Sequence, residues 1–433
     1  MEGNRLLSRR TLLQSAVASA YLRAATQDGE PSSEGQFALS PDDEQFLEEL
    51  ERSNFQFFWE QSNPKTGLTK DRCNVRTPNP NVLAASIAAT GFGLTAICIG
   101  QKRGYISYAD ARARVAAALE FLWKKMPTHR GFYFHWANVV TGERIWDSEV
   151  SSIDTAILLC GVLTCRQHFR SAEIATLASW IFSRVDWTWV SEDTALLPLG
   201  WTPEFGFLPY RWDYYSELMM IYLLGLGSAS HPLPAGAWNA WKRTLFEYDG
   251  LRYIGSFAPL FVHQYSQAWF DFRRRRDRYA DYFKNSVTAT DAHRRFCLDL
   301  AHRFPHYSDD LWGITASDSR SGYVIWGGPP EIGPIDGTVV PSAAGGSLPF
   351  LPQATLRVLK NMKNRYGQRC WSQYGFVNAF NPMTGWYDTD VIGIDTGITM
   401  LMAENLRTGF VWNTFMKNPE ARRGFQRAGL ESY

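Results

Sequence analysis

The sequence lacks an excess of charge of either sign. Its 44 lysines and arginines nearly balance its 43 aspartates and glutamates, which gives a formal net charge of +1. This balance offers no electrostatic basis for binding nucleic acid or an anionic membrane surface. After the N-terminus, no segment has the roughly 18 uncharged apolar residues that span a bilayer. We therefore expect a soluble mature protein with no nucleic-acid partner and no membrane partner.

Cysteines and metal-binding motifs are also scarce. Three of the six cysteines, including Cys98 and Cys165, lie in apolar helical patterns, where buried free thiols are expected. No CxxC or HExxH motif is present, and Pro305 interrupts the helix that would align His302 with His306. The glycine patterns match neither a P-loop nor a dinucleotide-binding fingerprint. We therefore expect neither a metal ion nor a cofactor.

Aromatic residues, by contrast, are abundant. They make up 15% of the chain, with 17 Trp, 19 Tyr and 27 Phe. Many of them belong to the core, but seventeen tryptophans exceed what core filling usually demands. Exposed indoles stack well on the apolar faces of sugar rings. The composition therefore indicates a surface that can bind carbohydrate.

Residues 1–25 are typical of a targeting segment. Ser8-Arg9-Arg10-Thr11-Leu12-Leu13 looks like a twin-arginine signal, and a mildly apolar run with small residues follows it. A basic amphipathic tail is the alternative interpretation. Residues 26–40 are polar and form a predicted flexible linker. We expect export by the twin-arginine route, to the periplasm or out of the cell, and a single domain over residues 41–433.

Helical periodicity dominates the rest of the chain. The predicted helices cover residues 46–59, 82–99, 108–125, 152–169, 172–185, 214–226, 235–246, 263–272, 285–304, 348–366, 394–405 and 409–416. Some are apolar nearly all round and others have a polar face, an alternation that a double ring of helices would produce. Long aromatic connections at 127–149, 187–212, 308–346 and 370–393 are expected to build a cleft at one end. The pattern predicts an all-α fold.

The most informative segment is residues 146–154, which place an indole and three carboxylates directly ahead of an apolar helix. Carboxylates beside an aromatic ring are typical of glycoside hydrolysis. Ser151 and Asp154 also fit a capping box, in which Asp154 only satisfies backbone N–H groups. Glu149 lies before the cap, so the helix does not need its side chain. A loop carboxylate in that position is expected to face the cleft.

Residues 386–395 repeat this arrangement of aromatic residues and acids before an apolar helix. Asp395 is either a plain N-cap or a reacting group. Asp388 and Asp390 could bind a cation, but they lack the EF-hand pattern that would indicate calcium.

Residues 212–217 form the third such segment, with Glu217 expected in the first turn of a strongly apolar helix. An exposed Glu217 would only interact with the helix dipole, worth about 0.3–1 kcal/mol. A buried Glu217 would need a partner or a raised pKa, which suits a general acid.

Three further segments contain candidate or competing features. Residues 263–273 supply polar groups that could bind hydroxyls, whereas the arginines of 273–276 are expected to form a solvated or ion-paired face. Asp71 and Asp336 lie in turn-like loops and are either substrate contacts or turn formers.

Ordered blocks along residues 46–415 resemble glycoside hydrolase family 144, the bacterial endo-β-1,2-glucanases with a glucoamylase-like domain. The blocks are Gly67-Leu68-x-x-Asp71-Arg72, Thr141-Gly142-Glu143, Glu149-Val150-Ser151-Ser152-Ile153-Asp154-Thr155-Ala156, Asp186-Trp187-x-Trp189, Tyr215-Ser216-Glu217, Leu224-Gly225-Leu226-Gly227-Ser228, Trp269-x-Asp271-x-Arg273, Trp312-Gly313, Asp336-Gly337-Thr338, Tyr374-Gly375-Phe376, Phe380-Asn381 and Ile394-Asp395-x-Gly397.

The resemblance implies an (α/α)6 barrel and a hydrolase that inverts the anomeric carbon. It implies Glu217 as the general acid and Asp395 or Glu149 as the group that activates water. The residues expected to bind substrate are Asp154, Asp147, Arg72, Asp71, Trp212, Tyr215, Gln264, Trp269, Asp271, Asp336, Trp386 and Asp388. The expected partner is a β-glucan chain, bound by a monomer.

Three other functions remain open from the sequence. An exo-acting hydrolase would release sophorose from the same polymer. A non-catalytic glucan-binding protein would keep the tryptophans without paired acids. A polysaccharide lyase would need a Tyr/His/Arg centre and a basic cleft, which the near-neutral charge does not favour.

Overall fold

The computed structural model describes residues 37–79, 82–192, 194–256 and 259–433. The predicted signal segment, residues 1–25, lies outside the described residues, as does most of the predicted linker. The described helices are α1 (Pro41–Glu60), α2 (Ile87–Lys102), α3 (Tyr108–Lys124), α4 (Ser152–His168), α5 (Ala172–Ser183), α6 (Trp187–Ser191), α7 (Met219–Gly227), α8 (Tyr265–Trp269), α9 (Tyr282–Asp299), α10 (Pro341–Gly345), α11 (Pro352–Cys370), α12 (Gly393–Thr408), α13 (Phe410–Phe415) and α14 (Pro419–Ala428). None of these helices is long and apolar enough to cross a bilayer.

Short strands accompany the helices. They are β1 (Arg72–Asn74), β2 (Ala84–Ser86), β3 (Thr128–His129), β4 (Phe132–Tyr133), β5 (Trp136–Asn138), β6 (Val150–Ser151), β7 (Gly200–Thr202), β8 (Gly206–Phe207), β9 (Thr244–Tyr248), β10 (Leu251–Gly255), β11 (Arg275–Arg276), β12 (Ser317–Ser319), β13 (Gly322–Val324), β14 (Trp371–Ser372), β15 (Gly375–Phe376), β16 (Phe380–Asn381), β17 (Trp386–Tyr387), β18 (Asp390–Ile392) and β19 (Glu431–Ser432). The fold is therefore mostly helical, and the prediction of an all-α chain is corrected.

Serine caps set the beginnings of five helices. Each capping hydroxyl accepts a hydrogen bond from the backbone N–H three residues later, which satisfies a donor that the helix leaves open. The caps are Ser40, Ser86, Ser107, Ser151 and Ser171. Helix α4 begins at Ser152, as the capping pattern predicted.

Two helices differ from their predicted bounds because part of the predicted sequence forms a paired strand instead. Residues 84–86 form β2, which pairs with β5, so α2 begins at Ile87 rather than at residue 82. The predicted helix 235–246 is wrong beyond Asn239. A short 3-10 helix, Ala235–Asn239, precedes β9, whose side chains alternate in exposure because β9 pairs with β10.

Helices α2, α4 and α12 run parallel and pack at close range. A Cβ placed at Gly161 of α4 would lie 2.2 Å from the backbone oxygen of Gly91 in α2, and one at Gly397 of α12 would meet the ring of Phe92. Fourteen of the 16 residues of α2 are buried, against five of the 17 in α3. The predicted alternation of buried and half-buried helices is present.

Replacing Gly161 by alanine should lower the thermal unfolding temperature and reduce the free energy of unfolding by about 1–3 kcal/mol. The reason is that the added methyl overpacks the contact between α2 and α4. Gly367 of α11 is the matched control, since its nearest neighbours would lie 3.9 Å from an added Cβ. There the higher helix propensity of alanine should leave stability unchanged or raise it by up to about 1 kcal/mol. Equal effects at the two sites would contradict the close packing.

Helix α1 runs antiparallel to α12 on the outside of this group. Near the end of α12, Arg407 forms ion pairs with Glu44 and Glu51 of α1. At the beginning of α12, a Cβ on Gly393 would lie 3.1 Å from the ring of Phe57, near the end of α1. Because α2, α4 and α12 are parallel, their beginnings meet at one end of the molecule.

Candidate active site

Two acidic residues occupy the same position in two parallel helices. Asp154 is the third residue of α4 and Asp395 is the third residue of α12. The positive end of a helix dipole stabilises a carboxylate there. Both side chains lie at the end where the helices begin, and a strand precedes each helix: β6 before α4 and β18 before α12. We call this end of the molecule the mouth.

Glu149, His135 and Asp154 form one side of the mouth. His135 Nδ1 lies 3.0 Å from Glu149 Oε1, and its Nε2 lies 3.7 Å from Asp154 Oδ2. The Ser151 hydroxyl donates to Asp154 Oδ2 at 2.5 Å, and the Asp154 N–H donates back to Ser151 Oγ at 3.2 Å. Ser151 therefore caps α4 through the Asp154 N–H, whereas the Asp154 carboxylate accepts the Ser151 hydroxyl and also faces the imidazole.

His135 was not among the residues that the sequence predicted. Its signal was weak, an aromatic run from Phe132 to Trp136 that is distant in sequence from Glu149. An isolated bridge between Phe134 and Val150 brings the two segments together. Among the described residues, His135, Glu149 and Asp154 are also the side chains close enough together to hold a metal ion, with one ligand atom from each within 4.8 Å of the others.

Asp395 forms a second part of the mouth. The Asn378 Nδ2 donates to Asp395 Oδ2 at 2.8 Å, and the Ser342 hydroxyl donates to Oδ1 at 3.3 Å. A small cavity, lined in part by Asn378, Ser342 and Thr399, adjoins the carboxylate. Asp395 is not the N-cap, since Ile392 occupies that position. Two side-chain donors therefore hold the Asp395 carboxylate in place.

Glu217 lies two residues before α7, in the turn that leads into it, and not in its first turn as predicted. The residue is 5% exposed. Its backbone oxygen accepts a hydrogen bond from Ser266 Oγ at 2.7 Å. The preceding loop reaches the beginning of α4, because Trp212 Nε1 donates to Ser152 Oγ at 2.8 Å. The loop that precedes Glu217 thus contacts the end of α4 at which Asp154 lies.

An arginine among carboxylates adjoins Asp395. Arg72 forms ion pairs with Asp71 at 3.0 Å, Asp318 at 2.5 Å and Asp390 at 3.4 Å. Burial opposes its charge, but the surrounding carboxylates, Asp71 first, raise the pKa of Arg72 above its usual value. The Asp318 N–H donates to Asn378 Oδ1 at 2.7 Å, so one amide connects this cluster to Asp395.

Asp388 lies beside the same cluster and carries a perturbed carboxyl group. Its Oδ1 accepts the backbone N–H groups of Thr389 and Asp390, whereas its Oδ2 is buried without a hydrogen-bond partner in the described structure. Burial first, and then the charges of Asp318 and Asp390, raise the pKa of Asp388 to about 7. Near neutral pH, the carboxyl group is therefore protonated in a large fraction of the molecules.

Asp388→Asn should change how stability depends on pH. Because the pKa of Asp388 is higher in the folded chain than its ordinary 3.8, its contribution is fully present below about pH 4 and is lost as pH rises towards 7. Asparagine cannot ionise. When the pH is raised from 4.5 to 8, the free energy of unfolding of the variant should therefore rise by about 1–3 kcal/mol relative to that of the wild type, a range already discounted for partial exposure. Urea unfolding of both proteins at the two pH values measures this change in stability. An equal stability difference between the variant and the wild type at both pH values would contradict the prediction.

The chain resembles known proteins over most of its length. A family model described as "Putative glucoamylase" matches residues 209–419. An endo-beta-1,2-glucanase from Chitinophaga pinensis has a solved structure with a TM-score of 0.85 at 27% identity, covering 91% of this chain and 99% of that one. Residues 209–419 thus match the glucoamylase model, and the chain shares the fold of that endo-beta-1,2-glucanase structure.

Two relatives from Parabacteroides distasonis are longer proteins. The exo beta-1,2-glucooligosaccharide sophorohydrolase (non-reducing end) is 27% identical over 424 residues, and the match covers 89% of this chain but 58% of that protein. The structure of a beta-1,2-glucanase has a TM-score of 0.83 at 25% identity, covering 91% of this chain and 60% of the other. The chain thus spans little more than half the length of the curated relative that it matches.

Three predicted substrate contacts are buried side chains. Trp212, Tyr215 and Gln264 are buried, and Gln264 Oε1 has no hydrogen-bond partner among the described residues. The Tyr215 hydroxyl lies 3.1 Å from His263 Nδ1, and Gln264 Nε2 donates to Ala343 O at 3.0 Å. Each of the three residues is at most 4% exposed, so the structure does not support their prediction as direct substrate contacts.

Trp269 and Asp271 do not reach the mouth, so their predicted substrate contacts are also corrected. Trp269 is fully buried, and its Nε1 donates to Thr95 Oγ1 in the middle of α2. Asp271 pairs with Arg273, which lies 3.8 Å from a Cβ placed at Gly409, just after α12. The length of α12 separates Gly409 from Asp395, which is about 21 Å at the rise of an α-helix.

The remaining predicted contacts lie on loops or, for Trp386, in a two-residue strand. Asp336 is exposed, and its Oδ1 accepts the Thr338 N–H at 2.8 Å, which confirms the turn-forming alternative. Trp386 is half-buried in β17. Asp147 is exposed, in a loop where it and Trp146 both have positive φ, and the indole of Trp146 is 59% exposed beside Trp136.

Proposed function

We propose that this chain is a glycoside hydrolase that cleaves β-1,2-glucan by an acid and base mechanism with inversion. The observation that carries the proposal is the placement of Asp154 and Asp395 at the N-terminal ends of the parallel helices α4 and α12, with Glu149 ahead of α4 and Glu217 ahead of α7. The exposed indole of Trp146, close in sequence to Glu149, supports it, because it offers a sugar ring a face to stack on. The named activities of the relatives with the same fold agree with this assignment.

The proposed reaction needs one acid and one base. Glu217 donates its proton to the glycosidic oxygen while the bond from that oxygen to the anomeric carbon breaks. Water attacks the same carbon from the opposite face and gives its proton to the base. We favour Asp395 as the base because two side-chain donors and a helix N-terminus keep it ionised; Glu149 is the second candidate.

Anomeric configuration tests the inversion. Proton NMR of the products, recorded before mutarotation, should show the α-anomer first from a β-linked substrate. Initial appearance of the β-anomer would instead require retention and a covalent intermediate.

We propose endo action, the activity that the name of the Chitinophaga pinensis relative gives. Exo release of sophorose is the second candidate, because another relative is an exo-acting sophorohydrolase. Chromatography of the first products distinguishes them. An endo enzyme should release a range of oligosaccharides and shorten the polymer at once, whereas an exo enzyme would release only sophorose while the polymer shortens slowly.

The remaining features belong to the same proposal. We infer that the buried and half-buried helices form the two rings of an (α/α)6 barrel and that residues 41–433 act as one monomeric domain. We also propose export by the twin-arginine segment. Sedimentation of the purified chain tests the monomer, and the cell fraction that holds an Arg9→Lys/Arg10→Lys variant tests the export.

A further inference from the structure

We propose that His135 is a positioning residue that fixes the orientation of the Glu149 carboxylate through its Nδ1–H group. The inference rests on the proposed function, in which Glu149 acts on the bound sugar. It concerns a residue to which neither the sequence pattern nor the named relatives give a role.

The imidazole of His135 is held by both its backbone and its ring. Its backbone N–H donates to Glu149 O at 2.8 Å, and its backbone oxygen accepts the Ile87 N–H at 3.2 Å. Its ring stacks on Trp136 with centroids 4.5 Å apart and planes 18° apart. The residue is 8% exposed. Such a ring has little freedom to turn.

The chemistry of the two contacts differs. As a candidate base, Glu149 acts in its ionised form, which only accepts hydrogen bonds; we therefore assign the hydrogen to the ring nitrogen 3.0 Å from Glu149 Oε1. The contact from Nε2 to Asp154 is longer, at 3.7 Å, and Asp154 already accepts from Ser151. The Nδ1 contact is therefore the one that sets the direction of the Glu149 side chain.

Glu149 is confined from its other side as well. A Cβ placed at Gly200 of β7 would lie 2.7 Å from Glu149 Cγ, so the glutamate stem packs directly on the backbone of that strand. With the stem against Gly200 and Oε1 bonded to His135, the direction of the second oxygen is fixed. At metal sites, groups that orient a ligand residue are worth about 10–100-fold in affinity or activity, and we expect an effect of that size for His135.

Two amide variants separate the two nitrogens. In His135→Asn the side-chain amide takes the place of Nδ1 and can still donate to Glu149. In His135→Gln the amide takes the place of Nε2 and reaches only towards Asp154. We expect the His135→Asn variant to keep kcat on β-1,2-glucan within about fivefold of the wild type. The His135→Gln variant should lose about 10–100-fold in kcat with KM changed less than about threefold.

Thermal unfolding of both variants controls for folding. Equal losses of kcat in the two variants at equal stability, or no loss in either, would overturn the inference. A wild-type chain without hydrolytic activity would instead contradict the proposed function. In that case, the crystal structures of the two variants would test the role of His135 without any activity measurement. The Glu149 carboxylate should overlay that of the wild type in His135→Asn and turn away in His135→Gln. An unchanged carboxylate in both variants would overturn the inference.

Discussion

Glu217→Gln is expected to reduce the kcat for hydrolysis of β-1,2-glucan by about 10²–10⁴-fold, the range that a positioned general acid contributes. Glutamine has nearly the same shape but no acidic proton to give to the leaving oxygen. The buried position of Glu217 ahead of α7 suits an acid that must hold its proton until the bond breaks. Initial rates of reducing-end release measure the loss.

Two controls make this result specific. Glu120→Gln changes an exposed glutamate that pairs with Lys124 on α3 and should leave the rate unchanged. An aryl β-sophoroside with a good leaving group needs little protonation, so it should recover most of the rate in Glu217→Gln. Full activity of the variant on glucan would remove Glu217 from the acid role, and an equal loss on both substrates would assign it to another step.

Asp395→Asn is expected to cause a comparable loss, of about 10²–10⁴-fold in kcat, because asparagine cannot take a proton from the attacking water. The Asn378 and Ser342 side chains and the N-terminus of α12 would still hold the side chain in place. KM should therefore change much less than kcat.

Asp271→Asn is the matched control for this substitution, since Asp271 lies at the far end of α12. It should keep the wild-type rate. Glu149→Gln, measured beside Asp395→Asn, identifies the base: the larger loss should fall on Asp395. A larger loss at Glu149, with Asp395→Asn active, would exchange their roles.

The features that depend on local patterns could be predicted from the sequence. The cap at Ser151 placed the beginning of α4 correctly, because a hydroxyl that satisfies a helix N–H acts within three residues. The position of Glu149 ahead of that cap followed from the same pattern. The predicted beginning of α2 was wrong because β2 pairs with β5, which lies far along the chain, and helical periodicity does not register such pairing.

The site was harder to predict where contacts join distant segments. His135 meets Glu149 because Phe134 bridges Val150, and no spacing in the sequence indicates that bridge. Trp269 and Asp271 lie in the same sequence segment as several polar groups, which suggested a common binding surface. The structure separates them, because α8 ends at Trp269 after only five residues. The indole of Trp269 reaches the middle of α2, and the chain after it emerges at the end away from the mouth.

The release of reducing ends from linear β-1,2-glucan, with β-1,3- and β-1,4-glucans in parallel, tests the central claim most directly. We expect rapid release from the β-1,2-linked polymer, little from the other two, and a rate reduced by at least about 10²-fold on β-1,2-glucan with Glu217→Gln. Absence of release from β-1,2-glucan by the folded wild-type chain, or undiminished release by the variant, would contradict it.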